Sequence, residues 1–534
     1  MDAGLREIEH ETEPPAGPPA SRPASDHWIF GGDRRRGSIG IAVSGLLIVA
    51  YVVYFAHVTT ATYRGYGYRT FDLAFYDQGV WLLSRFHAPY LTTIGRDLFG
   101  DHAQFSLVAL VPLYWLRPDP STLLNVQAAA MAAGAIPVYM LAIRRSLGPV
   151  LATVFVAAFL LHPALGLTNL ENYHPDSFLV PILGFAIYAA VERRTRMFVV
   201  CCLLALLCKE DVVLVLLPLA AWYCWRRDRR VGALIAGTAV VVAFADTYVV
   251  MRSLVGVSTR NAFRIPFSTC SGACSVSRHV SDFAKEIVTK PGAVVRYLVA
   301  GDHPNGRPFY VWQLIAPTGL VFLFAPEIAA TAVLALAANV FSTVGYQHQI
   351  AFHYSMELLP ALAMGSVYAV GRIRTARRRS IAGVLVLVSA LLCAYMWGPL
   401  PLARHGLPAH WSPSSAVVAD VNHVVAQLPP NAVVAAYDTF VTHVDRREHV
   451  YLWPTPFYAT HWKLSAQKGQ RLPEADTVEY LLLPPRLDDH PAVFDAIKSG
   501  FTEIARAEDD HGQGAVLYRK IGFTSAVRVS RGSS

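Results

Sequence analysis

A succession of apolar runs, broken by clusters of arginine, fills the chain from Ile39 to Trp397, and a chain patterned this way buries itself in a bilayer. Of its residues 54% are hydrophobic and 16% charged, which is outside the range of an ordinary soluble protein. The net charge of +8 comes mostly from the arginine clusters, so it carries topology and argues against a nucleic-acid partner.

Ile39 to Ala56 is long enough to cross a hydrocarbon core of roughly 30 Å, and Arg34, Arg35 and Arg36 before it hold the N-terminus inside. Residues 1–37, rich in Pro, Ala, Glu and Arg, read as a disordered cytoplasmic tail. Phe105 to Leu116 is too short to span and is expected in the interface, which lets Leu123 to Ile143 return Arg144 and Arg145 to the inside. The arginine clusters then count the crossings. Val150 to Leu165 goes out, Phe178 to Val191 returns, and Phe198 to Trp225 makes two short helices that meet outside at Lys209-Glu210-Asp211. Val231 to Val250 exits, Phe309 to Phe324 and Ala329 to Val344 form a hairpin, and Leu358 to Val370 and Ile381 to Trp397 complete the series. The expectation is an α-helical polytopic protein of about eleven spans over residues 38–398, N-terminus in and C-terminus out.

After Pro399 the composition turns soluble, and residues 399–520 read as a small extracytoplasmic α/β domain followed by a flexible tail over 521–534. Its expected elements are helices over Trp411–Pro430 and Ala492–Ser499 and strands over Asn431–Tyr437, Val478–Leu483 and Ala515–Lys520. Cys270 and Cys274 sit in a polar external loop, where a short-loop disulfide competes with two free thiols. Cys201, Cys202, Cys208, Cys224 and Cys393 lie in apolar runs as small core residues.

This topology puts most uncompensated polar groups on one side of the membrane: Asp72 and Asp77; Asp101 and His102; Glu171, His174 and Asp176; Lys209, Glu210 and Asp211; His348, His353, Tyr354 and Glu357. Ionisable groups at membrane depth cost several kcal/mol unless they pair or line a wet cavity, so a shared polar pocket is expected. Asp72 can take a proton from an incoming hydroxyl, or merely cap the helix that follows. Asp77 lies roughly 140° around that helix and is the weaker candidate. Glu171, His174 and Asp176 around Pro175 can share a divalent cation, Mg or Mn, or a phosphate-bearing ligand, while His-Pro also suits a helix start. Lys209 can meet a phosphate or simply solvate the helix break, and His353 and Tyr354 can belong to an interfacial aromatic belt.

With these residues placed, the chain resembles a large family of uncharacterised prokaryotic polytopic membrane proteins. The resemblance runs through Phe71-Asp72-Leu73, Asp77-Gln78 and Trp81, Gly100-Asp101-His102, His162-Pro163 with Asn172 to Asp176, and Lys209-Glu210-Asp211. It continues through Phe352-His353-Tyr354 with Pro360, and through Leu428 to Tyr437 with Arg447 and Tyr451. That family is in turn similar to the GT-C superfamily of polyprenyl-phosphate-dependent glycosyltransferases. The shared plan is a first external loop with a catalytic acid, interfacial helices, an inward span ending in Arg-Arg and a second external loop. Asp72, Phe105–Leu116, Arg144-Arg145 and Glu171–Asp176 match it, although the paired Asp-Glu or Asp-x-Asp of many such loops is missing.

The resemblance implies sugar transfer from a polyprenyl-phosphate donor to an envelope glycan, lipid or protein outside the cytoplasmic membrane. Asp72 would be the base, Lys209 would meet the donor phosphate, and Asp77, Asp101, His102, Glu171, His174, Asp176, Glu210, His353 and Tyr354 would surround the substrates. Two rivals stand beside it. A transporter or flippase needs charges near mid-membrane, and a non-catalytic scaffold gives no reason to gather carboxylates and histidines.

Overall fold

The structure is a computed structural model and describes residues 34–255, 276–299, 306–404, 406–407, 410–463 and 467–523. The expected disulfide between Cys270 and Cys274 lies outside the described residues, as do most of both expected tails.

The chain is a multi-pass helical membrane protein with a small sheet near its C-terminus. Four helices are long and apolar enough to cross a membrane: Gly37–Arg64, Pro120–Arg144, Arg229–Val255 and Ala376–Trp397. Gly148–Leu160 and Pro163–Glu171, bent by 41° at a short break, add a fifth if they form one span. The bend falls at Pro163, which has no N–H to give the preceding turn, and His162 Nδ1 accepts from the Ala164 N–H at 3.3 Å in its place. Other apolar runs are shorter helices, so length and composition give four or five spans among the described residues; eleven stays an expectation. Phe198–Trp225 divides as expected, into Thr195–Leu206 and Val213–Arg226 around the charged triplet. Phe309–Phe324 does not stay one helix: the helix Gly306–Ile315 gives way to 3-10 turns over Ala316–Thr318 and Val321–Phe324, separated by Gly319, whose φ is 58°.

Small residues let the helices close on one another. Ala128, Ala132, Ala135, Ala186, Ala189 and Ala190 are fully buried in the main core, beside Met131, Leu183 and Ile187. Several arginines gather at one end of this bundle. Arg145 pairs with Glu192 at 3.2 Å, Arg372 with Glu327 at 2.7 Å, and Arg227 and Arg379 donate to the Ala190 and Ser146 carbonyls.

Near the first loop, β1 (Tyr90–Leu91) and β2 (Arg96–Asp97) pair antiparallel. Their turn needs Gly95, which has φ 69° and so little room that a Cβ would sit 2.4 Å from the Trp462 ring. The C-terminal sheet comprises β3 (Val434–Ala436), β4 (Val450–Leu452), β5 (Tyr480–Leu483), β6 (Phe501–Glu508) and β7 (Gly514–Lys520), in the order β4-β3-β5-β7-β6. Strand β3 runs parallel to β4 and β5, and β7 runs antiparallel to β5 and β6. Alternating residues serve two faces: Val434, Ala436 and Leu482 meet Val418, Val421 and Val424 of the helix Ala416–Val425, while Ala435, Leu481 and Leu483 meet Trp453 and Trp462. The expected strands and helices of this region are present, all shorter except β7, which gains Gly514, and β4 and β6 are additions.

Candidate active site

The first loop reaches the site through an unusual turn. Asp72 has φ 71° and ψ −70°, and the Leu73 N–H donates to the Phe71 carbonyl at 3.1 Å, so Asp72 is the centre of a γ-turn of the rare positive-φ kind. Its side chain makes no cap bond to the helix Leu73–Ser84. Helix capping, the plainer reading of Asp72, is therefore not what this carboxylate does.

The carboxylate turns instead toward the second loop. Asp72 Oδ2 lies 3.8 Å from His174 Nε2, which is 2.8 Å from Glu171 Oε2. Burial raises the Asp72 pKa to about 6, with His174 pulling it down and Glu171 pushing it up. Burial opposes charge on His174, yet Asp72, Glu171 and Asp176 outweigh it and hold that imidazole above its usual range. The His353 ring packs on His174 with centroids 3.9 Å apart, and burial, with His174 and Lys209 nearby, keeps His353 neutral.

The helix break supplies the far wall. Lys209 Nζ lies 2.8 Å from Asp176 and 3.3 Å from Asp211, and 5.3 Å from the Tyr354 ring centroid. His102 Nδ1 is 2.7 Å from Glu210 Oε1, whose other oxygen accepts from the Ala103 N–H at 3.2 Å. Asp101 is held by Arg96 at 3.1 Å. Asp72, Asp101, His102, Glu171, His174, Asp176, Lys209, Glu210, His353 and Tyr354 thus form one connected cluster. Asp77, expected beside the substrates, does not join it: its carboxylate accepts from the Tyr114 hydroxyl and faces Arg446 at 3.9 Å and the buried Asp445.

Two further groups border the cluster, one of them expected and one that a motif-based reading misses. Glu357 sits beside Asp211, and burial together with that carboxylate pushes its pKa well up. Gln127 ties the second loop to the helix Pro120–Ala133, donating to the Asn172 carbonyl and accepting from the His174 N–H, each at 2.7 Å. Glutamine in an apolar run was the available signal.

Among the described residues two donor sets can hold a cation: Asp72 with Glu171 and His174, and His174 with Asp176 and His353, each with ligand atoms within 4.8 Å of one another. The expected trio of Glu171, His174 and Asp176 is thus divided between them, with His174 common to both. A metal in either set would need a His174 nitrogen free of its proton, because that nitrogen must supply the lone pair.

Residues 67–491 match the family described as predicted membrane protein, DUF2079. The chain belongs to that family. No curated protein matches it. Among solved structures, it resembles ArnT from Cupriavidus metallidurans bound to undecaprenyl phosphate, at 12% identity and a TM-score of 0.51, over 91% of this chain and 98% of ArnT. The apo state of the same ArnT gives 14% identity and a TM-score of 0.50, over 88% and 98%. ArnT is a GT-C glycosyltransferase, so this DUF2079 chain has a GT-C-like fold.

Proposed function

We propose that the protein is an inverting glycosyltransferase that moves a sugar from a polyprenyl-phosphate donor to an envelope acceptor, outside the cytoplasmic membrane. The observation that carries this reading is the Asp72 carboxylate, turned by a strained backbone toward His174 with a pKa of about 6, where a general base works best near neutral pH. The shared fold with a protein bound to undecaprenyl phosphate supports the donor class.

In the reaction, Asp72 removes the proton of the acceptor hydroxyl as its oxygen attacks the anomeric carbon. The bond from that carbon to the phosphate oxygen breaks, and polyprenyl phosphate leaves with the electron pair. His174, His102 and Lys209, whose positive charge neighbouring carboxylates favour, stabilise the phosphate as its charge grows. A cation at His174, if bound, would supply the same stabilisation. The arginine-rich end of the bundle faces the cytoplasm on this reading, and the C-terminal domain of residues 399–520 lies outside, over the acceptor.

Asp72→Asn should abolish transfer from labelled polyprenyl-phosphate sugars to envelope fractions while leaving the unfolding midpoint in detergent unchanged. Undiminished transfer by that variant would sink the proposal.

A further inference from the structure

Asn172 was part of a sequence match, without a role. Its carboxamide brackets the turn at Asp72 from both sides. Oδ1 accepts from the Leu73 N–H at 3.0 Å, and Nδ2 donates to the Phe71 carbonyl at 2.5 Å. Oδ1 also accepts from the Tyr173 N–H at 3.0 Å, so the carboxamide cannot rotate without losing all three bonds. The backbone of Asn172 is fixed in turn, because its carbonyl accepts from Gln127 Nε2 at 2.7 Å. Asn172 itself is only 5% exposed.

We infer that Asn172 is the positioning residue of this site, clamping the γ-turn at Asp72 so that its carboxylate faces His174. A non-glycine residue at φ 71° and ψ −70° persists only where its surroundings over-determine it. The bifurcated bond from the Leu73 N–H, to Phe71 and to Asn172, supplies that constraint. The same side chain connects the two loops. It lies one residue from Glu171 and two from His174, so the groups that face Asp72 and the group that aims it move as one piece. Only a side chain with an acceptor and a donor on one planar group can serve both flanks of the turn; aspartate would set a carboxylate against the Phe71 carbonyl. The catalytic part of this inference rests on the role proposed for Asp72, and the geometric part does not.

Hydrogen–deuterium exchange resolved to single amides separates the two. In Asn172→Ala the Leu73 amide should exchange at least about tenfold faster, while amides of β3, β5 and β7 keep their rates. In the transfer assay kcat should fall by about tenfold or more with KM nearly unchanged, because orientation is lost and binding is not. Asn172→Ser, which can restore one of the two flanking bonds, should fall between, and carries the test if the alanine variant does not fold. An unchanged Leu73 exchange rate overturns the clamp, whatever the protein catalyses. Faster exchange with normal kcat, in an enzyme that Asp72→Asn inactivates, overturns the positioning role. If transfer survives both Asp72→Asn and Asn172→Ala while exchange accelerates, the clamp stands and the glycosyltransferase mechanism through Asp72 falls.

Discussion

Lys209 and Asp176 meet at 2.8 Å with side chains only 3% and 2% exposed, which makes theirs the most deeply buried ion pair at the site. Removing one partner strands the other charge in a low-dielectric setting, at a cost of about 3–5 kcal/mol. Lys209→Met should therefore unfold at markedly lower denaturant, and the double variant Lys209→Met/Asp176→Leu should recover much of the loss. Equilibrium unfolding in mixed micelles measures both. A single variant that loses less than about 1 kcal/mol would mean the pair is already hydrated.

The bond between His102 and Glu210 gives stability a pH window. Burial opposes charge on His102, but Glu210 raises its pKa from 6.5 to about 9, so its contribution is complete below 6.5 and disappears as pH rises through 9. Glu210, opposed by burial but pulled down by His102, drops from 4.5 to about 2, so its contribution is complete above 4.5 and disappears as pH falls through 2. Thermal midpoints should form a plateau between these limits. His102→Gln should remove the alkaline slope, and a slope that survives the change would assign it to another group.

Asp77 and Asp445 form a second acidic pair, away from the proposed chemistry. Burial and the neighbouring Asp77 push the Asp445 pKa well up, so the folded state favours the neutral form of Asp445. Asp445→Asn keeps a neutral group of the same shape and should change stability little, with a weaker decline as pH rises. Asp77→Asn deprives Tyr114 of its carboxylate partner and Arg446 of one of its two, the other being Asp119 at 3.7 Å, and should be the more damaging change. Comparing the two midpoints at pH 7 checks the order.

The backbone at Asp72 can be tested apart from its carboxylate. Glycine adopts φ 71° freely and alanine does not, so Asp72→Gly should be more stable than Asp72→Ala by about 1 kcal/mol, with both inactive in transfer. Equal stability would mean that the turn relaxes once the carboxylate is gone.

Much of this site could be read from residue types and order. Asp72, Glu171, His174, Lys209 and His353 stood out because each is an ionisable group beside an apolar run, and membrane depth makes such groups rare. Asp77, expected near the substrates, lies apart from them beside Tyr114 and Arg446. What stayed hidden depends on contacts between distant segments. No local pattern marks Asn172 as a clamp on a turn 100 residues earlier, or shows that His102 meets Glu210. Strand β6 was illegible for a different reason: its Glu503, Arg506 and Glu508 protect an exposed sheet edge with charge, which erases the alternation that reveals a strand. The crossings were counted from arginines, and chain lengths of 10–17 residues in several helices do not fix that count.

Thr92 exchanges two hydrogen bonds with the backbone of Val450, at 2.7 and 2.9 Å, and the Thr70 N–H donates to Asp438 at 2.8 Å. The segment carrying Asp72 is therefore stitched to the C-terminal domain on both sides of the carboxylate, to the helix Asp438–Val444 before it and to strand β4 after it, while Trp462 fills the space that Gly95 leaves open. A chimaera built between two members of the family would have to exchange residues 70–97 together with that domain. Swapping the domain alone would join halves that had never been fitted to each other.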